Sequence, residues 1–170
     1  YLFLSDILPT AWQGVKYAGV GAGDNLAVYG LGPVGQFAAR IGRHLGARVF
    51  GIDPVPERRA MAARHGIEVF DLADDVNDEI RDATEGRGPD GVVDAVGMEA
   101  HGSPGGHAAH TITGLLPDAV GRRLMETAGL DRLAALHGSI DLVRRGGTVS
   151  LSGVYGGQAS PMPMLSLFDK

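Results

Sequence analysis

The chain has 170 residues, 44% hydrophobic and 21% charged, with a formal net charge of −5 and no cysteine. Those values suit one globular domain with a real core, and without a basic stripe they argue against nucleic acid as a partner. Disulfides and thiolate metal sites are excluded within these residues, and no signal peptide or apolar run near the ~20 residues of a bilayer span is present, so no membrane is expected and the cytoplasm is the expected compartment.

The chain opens on Tyr1-Leu2-Phe3-Leu4, which reads as the middle of something, and stops at Phe168-Asp169-Lys170 with no closing element. The expectation is a single domain, 1–170, excised from a longer protein, with 1–23 as its entry segment. Ser5-Asp6-Ile7-Leu8-Pro9-Thr10 looks like a helix start, with Ser5 or Asp6 offering a cap and Pro9 in the first turns. Trp12, Val15 and Ala18 or Gly19 give that helix an apolar face. A turn at Gly21-Ala22-Gly23-Asp24 leads into a first strand, Leu26 to Tyr29.

Gly30-Leu31-Gly32-Pro33-Val34-Gly35 follows, then a helical pattern with Val34, Phe37, Ala38, Ile41 and Leu45 on one face. A second strand, Arg48 to Ile52, ends in Asp53. Strand, glycine turn, helix and strand ending in a carboxylate form a dinucleotide-binding unit. The glycines alone would not carry this, because 27 glycines make one accidental match unsurprising. Gly86-Arg87-Gly88-Pro89-Asp90-Gly91 is such a match: it precedes a strand, opens no helix and reads as a turn. In the first copy Gly30 permits the sharp turn, Gly32 lets the backbone approach a pyrophosphate, and Gly35 lets the helix pack close to the sheet. Pro33 has no N–H to waste at a helix start, and the remaining N–H groups favour an anion. Asp53, about 20 residues on, is placed to accept hydrogen bonds from an adenosine ribose and to repel a 2′-phosphate. NAD is therefore expected over NADP, a preference that Arg58 and Arg59 weaken slightly. The plainer alternative is a crossover whose glycines serve packing only.

After Asp53, a short helix spans Glu57 to His65, a third strand Ile67 to Phe70, a helix Val76 to Thr84 with Val76, Ile80 and Ala83 inward, and a fourth strand Gly91 to Val96. About 50 residues separate Gly97 from a fifth strand, Thr148 to Leu151, where one crossover helix needs ~10–15. Helical periodicity from Asp118 to Arg145 (Leu124, Leu130, Leu133, Leu136, Ile140, Val143) leaves 98–117 as an insertion loop. The alternation predicts an α/β Rossmann fold, a doubly wound parallel sheet of strand order 3-2-1-4-5, with a sixth strand expected beyond Lys170.

Ser5-Asp6-Ile7-Leu8-Pro9-Thr10, the Gly30–Gly35 turn, Asp53, Asp94-Ala95-Val96-Gly97 and Ser152-Gly153-Val154 together resemble the coenzyme domain of zinc-type, medium-chain alcohol dehydrogenases. The Asp94–Met98 run and the long insert are similar to the glutathione-independent formaldehyde dehydrogenase and dismutase branch. The resemblance implies an NAD- and zinc-dependent oxidoreductase acting on a small alcohol or aldehyde hydrate, a homo-oligomer when full length. It implies Asp6 as a zinc ligand completed by residues outside the chain, so no catalytic zinc and no turnover in these residues alone. Helix capping is the plainer role for Asp6. The resemblance also implies that Thr10 and Val34 pack on nicotinamide, that Arg58 reaches the adenosine ribose, and that Val96, Gly97, Gly153 and Val154 line the crevice. Val96 and Val154 are as readily core residues.

His101, His107 and His110 in the insertion have no acid or cysteine beside them, which argues against a preorganised metal site. The resemblance implies a lid over NAD there instead. His44, His65 and His137 carry no assigned role. Two rivals remain: a non-catalytic nucleotide-sensing Rossmann domain, which has no need of Asp6 to Thr10, and an S-adenosylmethionine methyltransferase, which has no usual need of the Pro-Val-Gly helix entry.

Overall fold

A computed structural model describes residues 2–73, 75–97, 133–155 and 162–170. Its five parallel strands are β1 (Asn25–Tyr29), β2 (Arg48–Ile52), β3 (Glu68–Phe70), β4 (Gly91–Asp94) and β5 (Thr148–Leu151), ordered β3-β2-β1-β4-β5. Registers run Leu26 against Val49 and Gly91, Phe50 against Glu68, and Gly91 against Thr148. The helices are α1 (Ile7–Ala18), α2 (Pro33–His44), α3 (Pro56–Ala63), α4 (Val76–Ala83), α5 (Ala134–Leu142) and α6 (Met164–Asp169), after a 3-10 turn at Leu2–Leu4.

Both faces of the central strands are buried, as a parallel sheet requires. Leu26, Val28, Val49 and Val93 pack under α1, α2 and Ala62 of α3. Ala27, Tyr29, Phe50, Ile52 and Val92 pack on the other side, with Val76 and Ile80 of α4 and Leu142 of α5. The chain winds outward from β1 to β3, then crosses back to β4 on the other side of β1. That reversal leaves a crevice between the C-terminal ends of β1 and β4.

Several boundaries differ from expectation. α1 buries Val15 and Ala18 as expected, together with Ala11 and Gly14, while Trp12, expected inward, is exposed. Asp6 holds the N-cap position with no side-chain cap bond. Its carboxylate instead accepts from Thr10 Oγ1 at 2.8 Å. β4 ends at Asp94, two residues early, because the Asp94 carboxylate takes the Val96 N–H at 2.9 Å and turns the chain. Met164–Asp169 forms α6, a short helix where the sequence predicts no element. The 98–117 insertion, its three histidines, Leu124 and Leu130 lie outside the described residues. Among the described residues no helix is long and apolar enough to cross a membrane.

Candidate nucleotide site

β1 ends at Tyr29, whose ring is buried toward α4 and α5, and the chain then turns at Gly30, whose φ of 82° favours glycine. The Gly30 N–H donates to Ile52 O at 2.8 Å, tying the turn to the end of β2. A Cβ on Gly30 would lie 2.8 Å from Val96 Cγ2, so the turn also touches the end of β4. α2 starts at Pro33 with Gly32 as its cap. A Cβ on Gly35 would overlap the Gly30 carbonyl oxygen. Glycine is needed there for close approach of helix and turn.

Gly32 differs. Nothing lies within 4 Å of the place its Cβ would take, so no neighbour in the protein demands a glycine. The N–H groups of Gly32, Val34 and Gly35 take no hydrogen-bond partner among the described residues. They lie at the positive end of α2, an arrangement suited to an anion. Val34 is half-buried against the core under α1.

Asp53 follows β2 and is 1% exposed. Its Oδ2 accepts the Leu31 N–H at 2.7 Å and its Oδ1 the Val55 N–H at 2.8 Å. Arg58 Nη1 stands 3.5 Å from Oδ2, with its side chain half exposed at the rim. The carboxylate thus has a task beyond the one expected of it: it fastens the glycine turn to the entry of α3. Arg59 points elsewhere, to Asp53 O at 2.6 Å and Asp71 at 2.8 Å.

At the other wall, Asp94 O accepts the Ser152 and Gly153 N–H groups at 2.8 and 2.9 Å. A Cβ on Gly153 would overlap the Gly97 nitrogen, and one on Gly97 would lie 2.5 Å from the Val154 nitrogen. Val96 packs partly into the core beside Tyr29. Val154 is 78% exposed, so it is not a core residue. Gly30 to Gly35, Asp53, Arg58, Val96, Gly97, Gly153 and Val154 therefore form one continuous rim across four strand ends. Asp6 and Thr10 pair with each other in the first turn of α1, and Gly14, one turn further on, lies against Ser152 at the end of β5.

Two further partners carried no mark in the sequence, the buried Gln36 and the half-buried Tyr155. Gln36 Nε2 donates to Leu31 O at 3.1 Å and Arg58 O at 2.8 Å, joining turn, α2 and α3. Tyr155 Oη donates to Asp94 Oδ2 from the far side of the wall; its partner is too distant in sequence for any local pattern.

The donor set can be tested against the groups that the resemblance implies. The open Gly32, the unpartnered N–H groups and the carboxylate at the end of β2 fit a dinucleotide. Zinc does not fit these residues alone: among those described, no three His, Cys, Asp or Glu side chains cluster.

Residues 33–102 match the zinc-binding dehydrogenase family. The chain is 36% identical over 164 residues to a formaldehyde dismutase of Pseudomonas putida, covering 95% of this chain and 36% of that protein. It is 39% identical over 134 residues to a glutathione-independent formaldehyde dehydrogenase of Pseudomonas aeruginosa, covering 77% of this chain and 32% of the relative. Among solved structures, alcohol dehydrogenase TADH from Thermus sp. ATN1 superposes with a TM-score of 0.73 at 30% identity, over 98% of this chain and 39% of that one. The chain thus spans about a third of the length of the relatives it matches.

Proposed function

The chain belongs to the zinc-binding dehydrogenases, and we propose that it is the NAD-binding part of an enzyme moving hydride between an alcohol or aldehyde hydrate and NAD. One observation carries the reading. Two glycines of one turn have opposite surroundings: Gly35 is pressed against Gly30 O, while Gly32 faces open space. A packing-only turn explains the first and leaves the second without a reason. A pyrophosphate held on the free N–H groups explains both.

The adenosine half would lie toward Asp53 and Arg58, and the nicotinamide half toward Val34, Val96, Gly97, Gly153 and Val154, with Thr10 of α1 reaching the ring. Bound NAD supplies the hydride acceptor at its nicotinamide C4. The chain's contribution is to hold that carbon in one place and to keep the dinucleotide extended across the crevice. In the full-length enzyme Asp6 would be one of the zinc ligands, its second oxygen free of Thr10, with the others supplied from outside the described residues. The names of the relatives point to formaldehyde-like substrates, with dehydrogenase or dismutase chemistry.

Calorimetric titration with NAD, NADP and S-adenosylmethionine tests the reading. NAD should bind tightest and S-adenosylmethionine not at all. Preference for S-adenosylmethionine, or no nucleotide binding, overturns the proposal; preference for NADP overturns only the part given to Asp53.

A further inference from the structure

Two aspartates stand at strand ends in this crevice, and they are used in the same way. Asp53 takes the N–H two residues on, from Val55, with one oxygen, and reaches across to the neighbouring turn, at Leu31, with the other. Asp94 takes the N–H two residues on, from Val96, with Oδ1, and reaches across with Oδ2 to Tyr155, beyond the end of β5. Both carboxylates are essentially shut off from solvent. The first brace sits on the side proposed for adenosine; the second sits on the side proposed for nicotinamide.

The second brace is the more heavily built. Asp94 holds the segment after β5 three times: its carbonyl accepts from Ser152 and Gly153, and its carboxylate accepts from Tyr155. Tyr155 is also packed against Leu133, Leu136 and Ile140 around α5, which fixes its ring from the other side. Burial, and then the Asp94 carboxylate, push its phenol far above the usual tyrosine range, so the hydroxyl stays a donor. Between these fixed points, Gly153 lies against Gly97 and the 78%-exposed Val154 is presented outward. A valine held out in this way by a buried clamp has no packing role of its own.

We propose that Tyr155, through its hydrogen bond to Asp94, is a positioning residue that sets the Gly153–Val154 wall against which the nicotinamide half of the dinucleotide rests. It touches neither the coenzyme nor the reacting atoms. Its loss leaves a buried carboxylate oxygen without a partner and frees the wall to shift away from Gly97, while the glycine turn and Asp53 keep their own bonds. The inference rests on the NAD reading above. It adds the claim that the two halves of the crevice are braced independently.

The test compares NAD with AMP, which carries only the adenosine half, on the wild type and on Tyr155→Phe. The variant should lose at least about fivefold in NAD affinity, with AMP affinity changed by less than about twofold. Equal losses for NAD and AMP, or a lowered melting temperature with an unchanged ratio, would show a merely structural tyrosine and overturn the inference. Should Tyr155→Phe not fold, exposed Val154→Trp carries the test: NAD weakened and AMP untouched supports the wall, and NAD untouched removes it. A wild type that binds neither nucleotide overturns the NAD reading itself, a result distinct from all of these.

Discussion

At the scale of single residues, the site separates packing from ligand binding in a way that two glycine substitutions can expose. Gly35→Ala places a methyl on the Gly30 carbonyl oxygen, with backbone on both sides of the overlap and no flexible side chain to yield. The fold should lose ~1–3 kcal/mol, read as a lower midpoint in urea unfolding. Gly32→Ala meets no atom within 4 Å and has a φ of −67°, which alanine adopts freely. Its stability should stay within ~0.5 kcal/mol of wild type while NAD affinity falls by tenfold or more. Retained NAD affinity in Gly32→Ala would remove the main support for a pyrophosphate at α2. Asp53 shows the limit of reading such residues from sequence. Its position after β2 was legible because an acid ends a buried apolar run; its hydrogen bonds to Leu31 and Val55 were not. Gln36 was less legible still, because a lone polar residue in an amphipathic helix reads as solvent-facing until Leu31 O and Arg58 O are seen beside it.

At the scale of elements, β2 and β5 matched expectation to the residue and β1 nearly so; β1 and β2 are covered on both faces and read as continuous apolar runs, while the partly exposed β5 is marked by the glycine pair before it. β4 was misjudged at its end because Asp94 stops it through a side-chain bond, not through a sequence break. The turn before β4, by contrast, was legible as a turn from its glycines, with Gly86 and Gly88 both at positive φ. Its anchoring was not: Asp90 accepts the Asn25 N–H at 2.8 Å and pairs with Arg144 at 2.6 Å, linking β1 to the approach to β5. Burial pushes the Asp90 carboxyl up, but the Asn25 N–H and the Arg144 and Arg87 guanidiniums outweigh it and hold it below its ordinary value. A carboxyl lowered in the folded state contributes stability that is present above its unfolded value of about 3.9 and is lost as pH falls through the folded one. Melting temperature should therefore drop on acidification from about pH 5 downward, and Asp90→Asn, less stable at neutral pH, should show a shallower drop. Parallel curves for the two proteins would assign the acid loss to other carboxylates, with Asp141 and Glu68 the next to examine, since both are also held low.

At the scale of the whole molecule, the sheet is covered on its two faces but open at one side. β5 pairs with β4 and with no other strand among the described residues, and Leu151 on it is half exposed. α6, which packs on α5, leaves Leu165 89% and Phe168 94% exposed. α6 is tied to the body by polar contacts: Arg145 to Asp169 at 2.6 Å, and Lys170 Nζ to the Asp141 and Val143 carbonyls, both at 2.6 Å. An apolar face held in place by polar bonds is open to association, and so, separately, is an unpaired strand edge with its free N–H and C=O groups. The protein should therefore self-associate as its concentration rises, seen as growth of the weight-average mass in light scattering. The double variant Leu165→Lys and Phe168→Lys should suppress that growth without lowering the melting temperature, because neither side chain is packed. The rim proposed for the nucleotide, with Gly32, Asp53 and Val154, lies at the strand ends and not along the β5 edge. NAD affinity should accordingly be the same in the double variant and the wild type. A wild type that stays monomeric at every concentration would show that the exposed face and the strand edge are innocuous, and a double variant that still associates would move the contact off α6 and onto β5.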